Sequence, residues 1–211
     1  MASPKKARLK QAALSTILMR AGVALIAAGL VILALTFGPI IYQEITYNLR
    51  QLFFPKTTME TERAIKPVDR DFGIIIPKLG ANARIIANVD PYDARAYQRA
   101  LTRGVAHARG TSVPGATGNI FLFAHSSENF YEAVRYNSVF YLLPKLIPGD
   151  EIIMYYKNTR YTYVVTDKKL VRAKDVSYLE NGRNTQTLTL MTCWPPGTNL
   201  QRLLVFAQLK K

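Results

Sequence analysis

The sequence is poor in the residues that bind metals and form disulfides. Its 211 residues include one cysteine, Cys193, and two histidines, His107 and His125. A single cysteine excludes an internal disulfide and any zinc site built from several cysteines. Two histidines leave little for metal coordination, and no cluster of acidic residues suggests a calcium site. We therefore expect neither a metal nor a cofactor.

Acidic residues are also scarce. The chain has 14 Asp and Glu against 28 Lys and Arg, which gives a net charge of +14 at pH 7. This excess predicts an anionic neighbourhood, such as a membrane surface, a cell-wall polymer or nucleic acid. The hydrophobic content of 49% is ample for a packed core, so the composition excludes a chain that is disordered throughout.

Charge is absent altogether from residues 21–41, a run of 21 residues dominated by Ala, Val, Leu and Ile. The preceding residues 1–20 carry five basic residues and no acid. A helix of that length matches a hydrocarbon core of about 30 Å. It exceeds the apolar part of a signal peptide, and no clear small-residue cleavage site follows. We expect a retained transmembrane helix. The alternative is a buried core helix, which the basic flank disfavours.

The basic flank also predicts the orientation in the membrane. By the positive-inside rule, residues 1–20 form a cytoplasmic tail, and the part of this single-pass protein of the cell membrane that follows about Tyr42 lies outside. Residues 42–71, polar and interrupted by prolines, are expected to be an extracellular linker. Beyond residue 20 remain 23 basic and 14 acidic residues, a net charge of +9. For a domain outside the cell, anionic wall polymers or phospholipid headgroups are better candidate partners than nucleic acid, for which the sequence has no motif. A merely solubilising surface charge is the alternative.

Residues 72–211 are expected to form a mainly β domain. Short β-branched and aromatic runs, separated by turn residues, predict about eight strands and one or two short helices in a closed or partly closed barrel. The local expectations are a helix over 90–101 with Asp90 as its cap, a loop over 104–118, a hairpin turning at 157–160, a separate strand over 170–176 and a final hairpin over 187–206.

The final hairpin contains the only cysteine. Cys193 ends one apolar run, Arg202 opens the next, and the turn formers of residues 194–199 lie between them. An antiparallel pairing therefore brings a thiol and a guanidinium to one end of the sheet. A nearby cation favours the reactive thiolate. The alternative is that Cys193 is a small buried apolar side chain.

His125 follows the apolar run of residues 119–124 and precedes a polar segment. A histidine at the end of a core strand is well placed for proton transfer, although it could equally cap the strand. His107 lies in a glycine-rich stretch. We rank it second as a catalytic candidate and favour a structural or substrate-contact role for it.

Together these residues are a usable set for acyl transfer. Cys193 would attack a carbonyl and form a thioester. His125 would protonate the leaving amine, and Arg202 would stabilise the tetrahedral oxyanion. Spacing alone does not prove that His125 reaches Cys193.

Several short motifs, in order, resemble the sortase family. Thr189–Cys193 matches its TLxTC signature, and Arg202 falls where the family keeps an arginine at the start of the next strand. The other matching blocks are Phe123-Ala124-His125, Ile76-Pro77-Lys78-Leu79, Gly104-Val105-Ala106-His107, Pro114-Gly115 and Gly118-Asn119. The resemblance covers about residues 72–208.

The resemblance implies a membrane-anchored cysteine transpeptidase on an eight-stranded sortase-type β-barrel, preceded by one transmembrane helix. Such an enzyme cleaves an LPxTG-like sorting motif near the C-terminus of secreted proteins. It passes the acyl group to the amine of a cell-wall precursor or of a pilin lysine. Carried over to this chain, Cys193 is the nucleophile, His125 the general acid and base, and Arg202 the oxyanion or substrate-positioning group. Thr192 and His107 are expected substrate-binding residues.

The sequence also bears on the sortase subtype and on two competing functions. Residues 42–71 lack the aspartate-proline-aromatic lid motif of pilus-polymerising members, and no second hydrophobic segment precedes Lys211. A single-anchor sortase is therefore favoured over a polymerase. Asp90-Pro91-Tyr92 spells such a tripeptide, but within the barrel region. Two other functions compete: a membrane-tethered, hydrolytic cysteine peptidase and a non-catalytic wall-binding module.

Overall fold

A computed structural model describes residues 4–53, 65–126, 139–175, 177–179 and 185–210. The chain forms two compact units, residues 1–43 and 44–211. It begins with helix α1, Pro4–Phe53. Within this helix, Thr16–Leu35 is long and apolar enough to cross a membrane, with a mean hydropathy of 2.4 and no burial. This stretch overlaps the predicted span of 21–41 but begins earlier and includes Arg20. The membrane orientation stays a prediction.

The β domain is a closed barrel of eight strands, as predicted. In chain order they are β1 Phe72–Ile76, β2 Ala81–Val89, β3 Val105–Ala108, β4 Gly118–Phe123, β5 Glu151–Tyr156, β6 Thr159–Arg172, β7 Gln186–Trp194 and β8 Gln201–Leu209. The order around the barrel is β1-β2-β3-β4-β7-β8-β6-β5. Pairings are antiparallel except β2 with β3 and β4 with β7, which are parallel. The interior is filled by side chains such as Ile74, Leu122, Ile152, Met154, Leu190 and Val205.

Short helices join the strands. Helix α2, Ala94–Leu101, follows β2, and 3₁₀ turns lie at Pro77–Leu79, Leu143–Lys145 and Ser177–Leu179. The predicted helix cap at Asp90 was wrong. Asp93 caps the helix because its carboxylate accepts hydrogen bonds from the amides of Arg95 and Ala96. Asp90 instead closes a local turn by accepting from the amide of Tyr92.

Two strand predictions were also wrong. The expected loop over 104–118 contains β3, a strand of 4 residues, whose pattern was too short to distinguish beside its glycines. Of the expected separate strand over 170–176, residues 170–172 are the end of β6, which pairs with β8 continuously from Tyr163 to Arg172 across one register shift, and Val176 lies outside the described residues. No turn former lies between Asp167 and Leu170 to divide it. The 157–160 hairpin is confirmed, with Lys157 and Asn158 at positive φ.

The predicted linker of residues 42–71 lies partly outside the described residues. Residues up to Phe53 belong to α1, and 65–71 lead into β1. The side chain of Asn82 on β2 accepts a hydrogen bond from the amide of Val68 and donates one to the carbonyl of Lys66. Contacts with the barrel therefore begin a few residues before the expected boundary at Phe72.

Candidate active site

The parallel pairing of β4 with β7 places two candidate residues at one rim. Phe123 is the register partner of Met191, and the amide of Ala124 donates to the carbonyl of Met191 at 3.2 Å. Because parallel strands end on the same side of a sheet, the residues that follow emerge together. His125, immediately after this contact, and Cys193, near the end of β7, therefore lie at the same end of the barrel.

The β7–β8 hairpin supplies the third residue. Cys193 and Arg202 are direct register partners, and residues directly opposite in an antiparallel pair have Cβ atoms about 5 Å apart. The Nη1 of Arg202 donates to the carbonyls of Asn199 and Gln201, at 3.2 Å and 3.1 Å. The guanidinium is thus tied to the loop that joins the two strands, beside the half-buried thiol.

All three side chains line one cavity of about 270 Å³. Its walls are mostly apolar and aromatic, and come from β4, β7, β8, α2 and the segment after β6. The lining residues include Tyr92, Tyr97, Leu101, Phe123, Ala124, His125, Asp175, Tyr178, Met191, Thr192, Cys193, Arg202 and Leu204. A concave, largely apolar cavity with a few convergent polar groups is typical of a ligand site.

Thr192 has a defined position in this arrangement. It is 1% exposed, and its Oγ1 donates to the carbonyl of Ala124 at 2.9 Å. This hydrogen bond joins the residue before Cys193 to the residue before His125. Thr192 therefore fastens the two candidate catalytic residues to each other through their backbones, in addition to lining the cavity.

His107 lies elsewhere, in β3, and does not line the cavity. Its Nε2 contacts the carbonyl of Ser112 at 2.8 Å and the hydroxyl of Thr111 at 3.0 Å, and its Nδ1 accepts from the amide of Asn88 at 3.3 Å. Its ring packs edge-on against Phe72. These contacts favour the structural one of the two roles expected for His107, and its assignment to substrate binding finds no support in the geometry.

Several lining residues escaped the sequence analysis. Tyr92, Tyr97, Asp175 and Tyr178 reach the cavity from α2, the turn before it and the segment after β6, and nothing in their spacing relates them to Cys193. Hydrogen bonds from the side chain and then the backbone of Ser177 lower the pKa of Asp175, so this exposed carboxylate is charged at neutral pH. Among the described residues, no group of three or more His, Cys, Asp or Glu is placed to hold a metal ion.

Replacing Thr192 with valine should destabilise the protein. Valine has nearly the same shape but no hydroxyl, so the buried carbonyl of Ala124 would lose its donor. We expect the free energy of unfolding to fall by about 1–3 kcal/mol, measured by chemical denaturation of the full chain in detergent. Thr192→Ser keeps the donor and is the matched control. Equal losses in the two variants would show that this hydrogen bond contributes nothing.

The burial of His107 should make stability pH-dependent. Burial lowers the pKa of His107 below its ordinary value of 6.5, and the hydrogen bond to Ser112 only partly offsets this. In the window between the ordinary pKa and the lowered one, the unfolded state binds more protons than the folded state. Stability is then lost as pH falls through this window, by at most about 1.4 kcal/mol per pH unit.

The measurement is the free energy of unfolding from pH 8 to pH 5 in the native chain and in His107→Gln, which cannot titrate at this position. We expect a decline below pH 6.5 in the native chain and a flatter profile in the variant. Identical profiles would show that the folded ring accepts a proton as readily as the unfolded one.

Comparison with known proteins gives a consistent result. The model of the sortase family, described as the sortase domain, matches residues 74–210. Sortase D from Bacillus subtilis (strain 168) is 27% identical over 120 residues, which are 57% of this chain and 52% of that protein. The chain thus spans about half the length of that curated relative.

Solved structures share the fold at lower identity. Sortase C-1 from Actinomyces oris is 24% identical, with a TM-score of 0.57 over 82% of this chain and 85% of that chain. A Sortase D5 transpeptidase from Clostridium perfringens is 22% identical, with a TM-score of 0.55 over 84% of this chain and 99% of that chain. Because the family model matches more than half of the chain, the protein belongs to the sortase family.

Proposed function

We propose that this chain is a cysteine transpeptidase that cleaves an LPxTG-like sorting motif of secreted proteins and transfers the acyl group to an amine. The observation that carries the proposal is the register pairing of Cys193 with Arg202, on a cavity that His125 also lines. Family membership supports the same reaction, and the Clostridium perfringens structure of the same fold is described as a transpeptidase.

In the first half-reaction, the Cys193 thiol gives its proton to His125, and the sulfur attacks the carbonyl carbon of the scissile peptide bond. The Arg202 guanidinium faces the developing oxyanion, and a positioned charge there lowers the barrier. The C–N bond then breaks, His125 gives a proton to the leaving amine, and a thioester to Cys193 remains. The apolar walls of the cavity limit water around the thioester, which strengthens each electrostatic contact.

In the second half-reaction, an amine attacks the thioester carbonyl. The C–S bond breaks as the new C–N bond forms, and His125 returns a proton from the amine to the sulfur. A cell-wall precursor or a pilin lysine would supply the amine. We propose that the N-terminal helix anchors the enzyme in the cell membrane, with residues 1–20 in the cytoplasm and the barrel outside. The uncharged run of residues 21–41 and its basic flank support this orientation.

The proposal predicts how two substitutions change the acylation rate. With a sorting peptide that the native chain cleaves, Cys193→Ala should form no acyl-enzyme, because the attacking sulfur is gone. Arg202→Met should slow acylation by about 10²–10³-fold, the usual cost of removing one oxyanion-stabilising group. Rapid quenching followed by mass spectrometry of the intact chain measures both rates.

Arg172→Met is the matched control for Arg202→Met. Arg172 is an exposed arginine at the neighbouring register position, opposite Gln201, and it does not line the cavity. Its variant should acylate at the native rate. Product formation by Cys193→Ala, or equal slowing in both arginine variants, would contradict the proposed mechanism. Products consisting only of the free acid, whatever amine is added, would indicate a hydrolytic peptidase instead.

A further inference from the structure

The cavity contains one negative charge. Among the described residues that line it, Asp175 is the only acidic side chain, whereas His125 and Arg202 are basic and the others are uncharged. The proposed first half-reaction uses no carboxylate. Asp175 is therefore a charged group at the candidate site without a role in acylation.

The position of Asp175 follows from the pairing of β6 with β8. Val171 is the register partner of Arg202, and Arg172 is the partner of Gln201. Asp175 comes just after this end of β6, and its amide donates to the carbonyl of Arg172 at 3.0 Å. The carboxylate thus lies on the same rim as the start of β8, where Arg202 and Cys193 meet.

The carboxylate is held in place and remains accessible. Its Oδ1 accepts from the amide and the hydroxyl of Ser177, at 3.2 Å and 2.7 Å, and the described hydrogen bonds of the side chain use this oxygen alone. Lys169 is a cation in its surroundings, with an ammonium that lies 5.5 Å from the centre of the Tyr178 ring. The side chain is exposed, so a ligand can approach Oδ2 from solvent.

The second substrate of a transpeptidase is an amine, and the carboxylate of Asp175 can attract its cationic form. A primary alkylamine is mostly an ammonium ion near neutral pH, and the guanidinium of Arg202 repels it. The apolar and aromatic walls offer no compensating charge. We propose that Asp175 is a specificity-determining residue that draws a cationic amine acceptor to the rim of the acyl-enzyme; this inference rests on the transpeptidase function proposed above.

The step balances without any further reactant. The ammonium ion loses one proton to water as it leaves the carboxylate, and the neutral amine attacks the thioester carbon. The C–N bond forms, the C–S bond breaks, and a second N–H proton passes through His125 to the Cys193 sulfur. Asp175 takes no proton and forms no bond; it raises the concentration of the amine beside the thioester.

The test separates acceptor capture from acylation. Asp175→Asn removes the charge and keeps the Oδ1 that accepts from Ser177. With the full chain in detergent and a sorting peptide it cleaves, we would measure the acylation rate and then the concentration of triglycine amide that gives half-maximal aminolysis. We expect unchanged acylation and a two- to fivefold rise in that concentration, about the range of one exposed ion pair.

Three controls distinguish an effect of the Asp175 charge from an effect on the local structure. Hydroxylamine is a mostly uncharged nucleophile at pH 7.5, so its half-maximal concentration should be the same in the native chain and in Asp175→Asn. Asp71→Asn replaces an exposed acid outside the cavity. It should leave the half-maximal concentrations of triglycine amide and of hydroxylamine unchanged. Added salt should raise the half-maximal concentration of triglycine amide in the native chain, and should raise it less in Asp175→Asn.

Each outcome is decisive. Normal acylation with an unchanged response to triglycine amide would overturn the role of Asp175 and leave the proposed function intact. If the half-maximal concentrations of triglycine amide and of hydroxylamine rise equally in Asp175→Asn, then Asp175 only supports the local structure. If the native chain forms no acyl-enzyme with any sorting peptide, the transpeptidase proposal fails, and the inference about Asp175 fails with it.

Discussion

The site depends on the register of β7 with its two neighbours. The parallel pairing with β4 sets the height of His125 relative to Cys193, and the antiparallel pairing with β8 places Arg202 directly opposite Cys193. A slip of one residue in either pairing would turn the functional side chain to the other face of the sheet. The packing of the barrel core opposes such a slip, since Leu188 and Leu190 are fully buried in it and would change faces. Core packing therefore fixes the geometry of the candidate site.

The two histidines differ in burial and in their place in the fold. His107 is 4% exposed, its ring nitrogens contact groups of Asn88, Thr111 and Ser112, and burial lowers its pKa. A histidine held in this way favours the neutral form, and both its ring nitrogens are engaged within the fold. His125 follows a core strand, is only partly buried, and lines the cavity with Cys193. The motif blocks of the sequence contain both histidines, and only the fold separates them.

The sequence was sufficient for features that depend on local pattern. The final hairpin, the pairing of Cys193 with Arg202 and the eight-stranded barrel all follow from apolar runs and turn formers. It was insufficient where the outcome depends on contacts distant along the chain. The short β3 exists because β2 and β4 pair with it on both sides, and β6 continues past Asp167 because β8 offers an uninterrupted partner. Asp175 reaches the cavity through that same long pairing, so no local signal marks it. The cap at Asp93 rather than Asp90 is a difference of three residues that the backbone geometry decides.

Under the proposed function, the thiol of Cys193 both breaks the peptide bond of the sorting motif and transfers the acyl group to the amine. The most direct measurement is peptide mapping of the full chain after reaction with a sorting peptide, before and after an amine is added. We expect an acyl group on the proteolytic fragment that contains Cys193, and its loss on addition of the amine with formation of the corresponding amide. An acyl group on another residue, or an amide formed without any modification of Cys193, would contradict the proposed function.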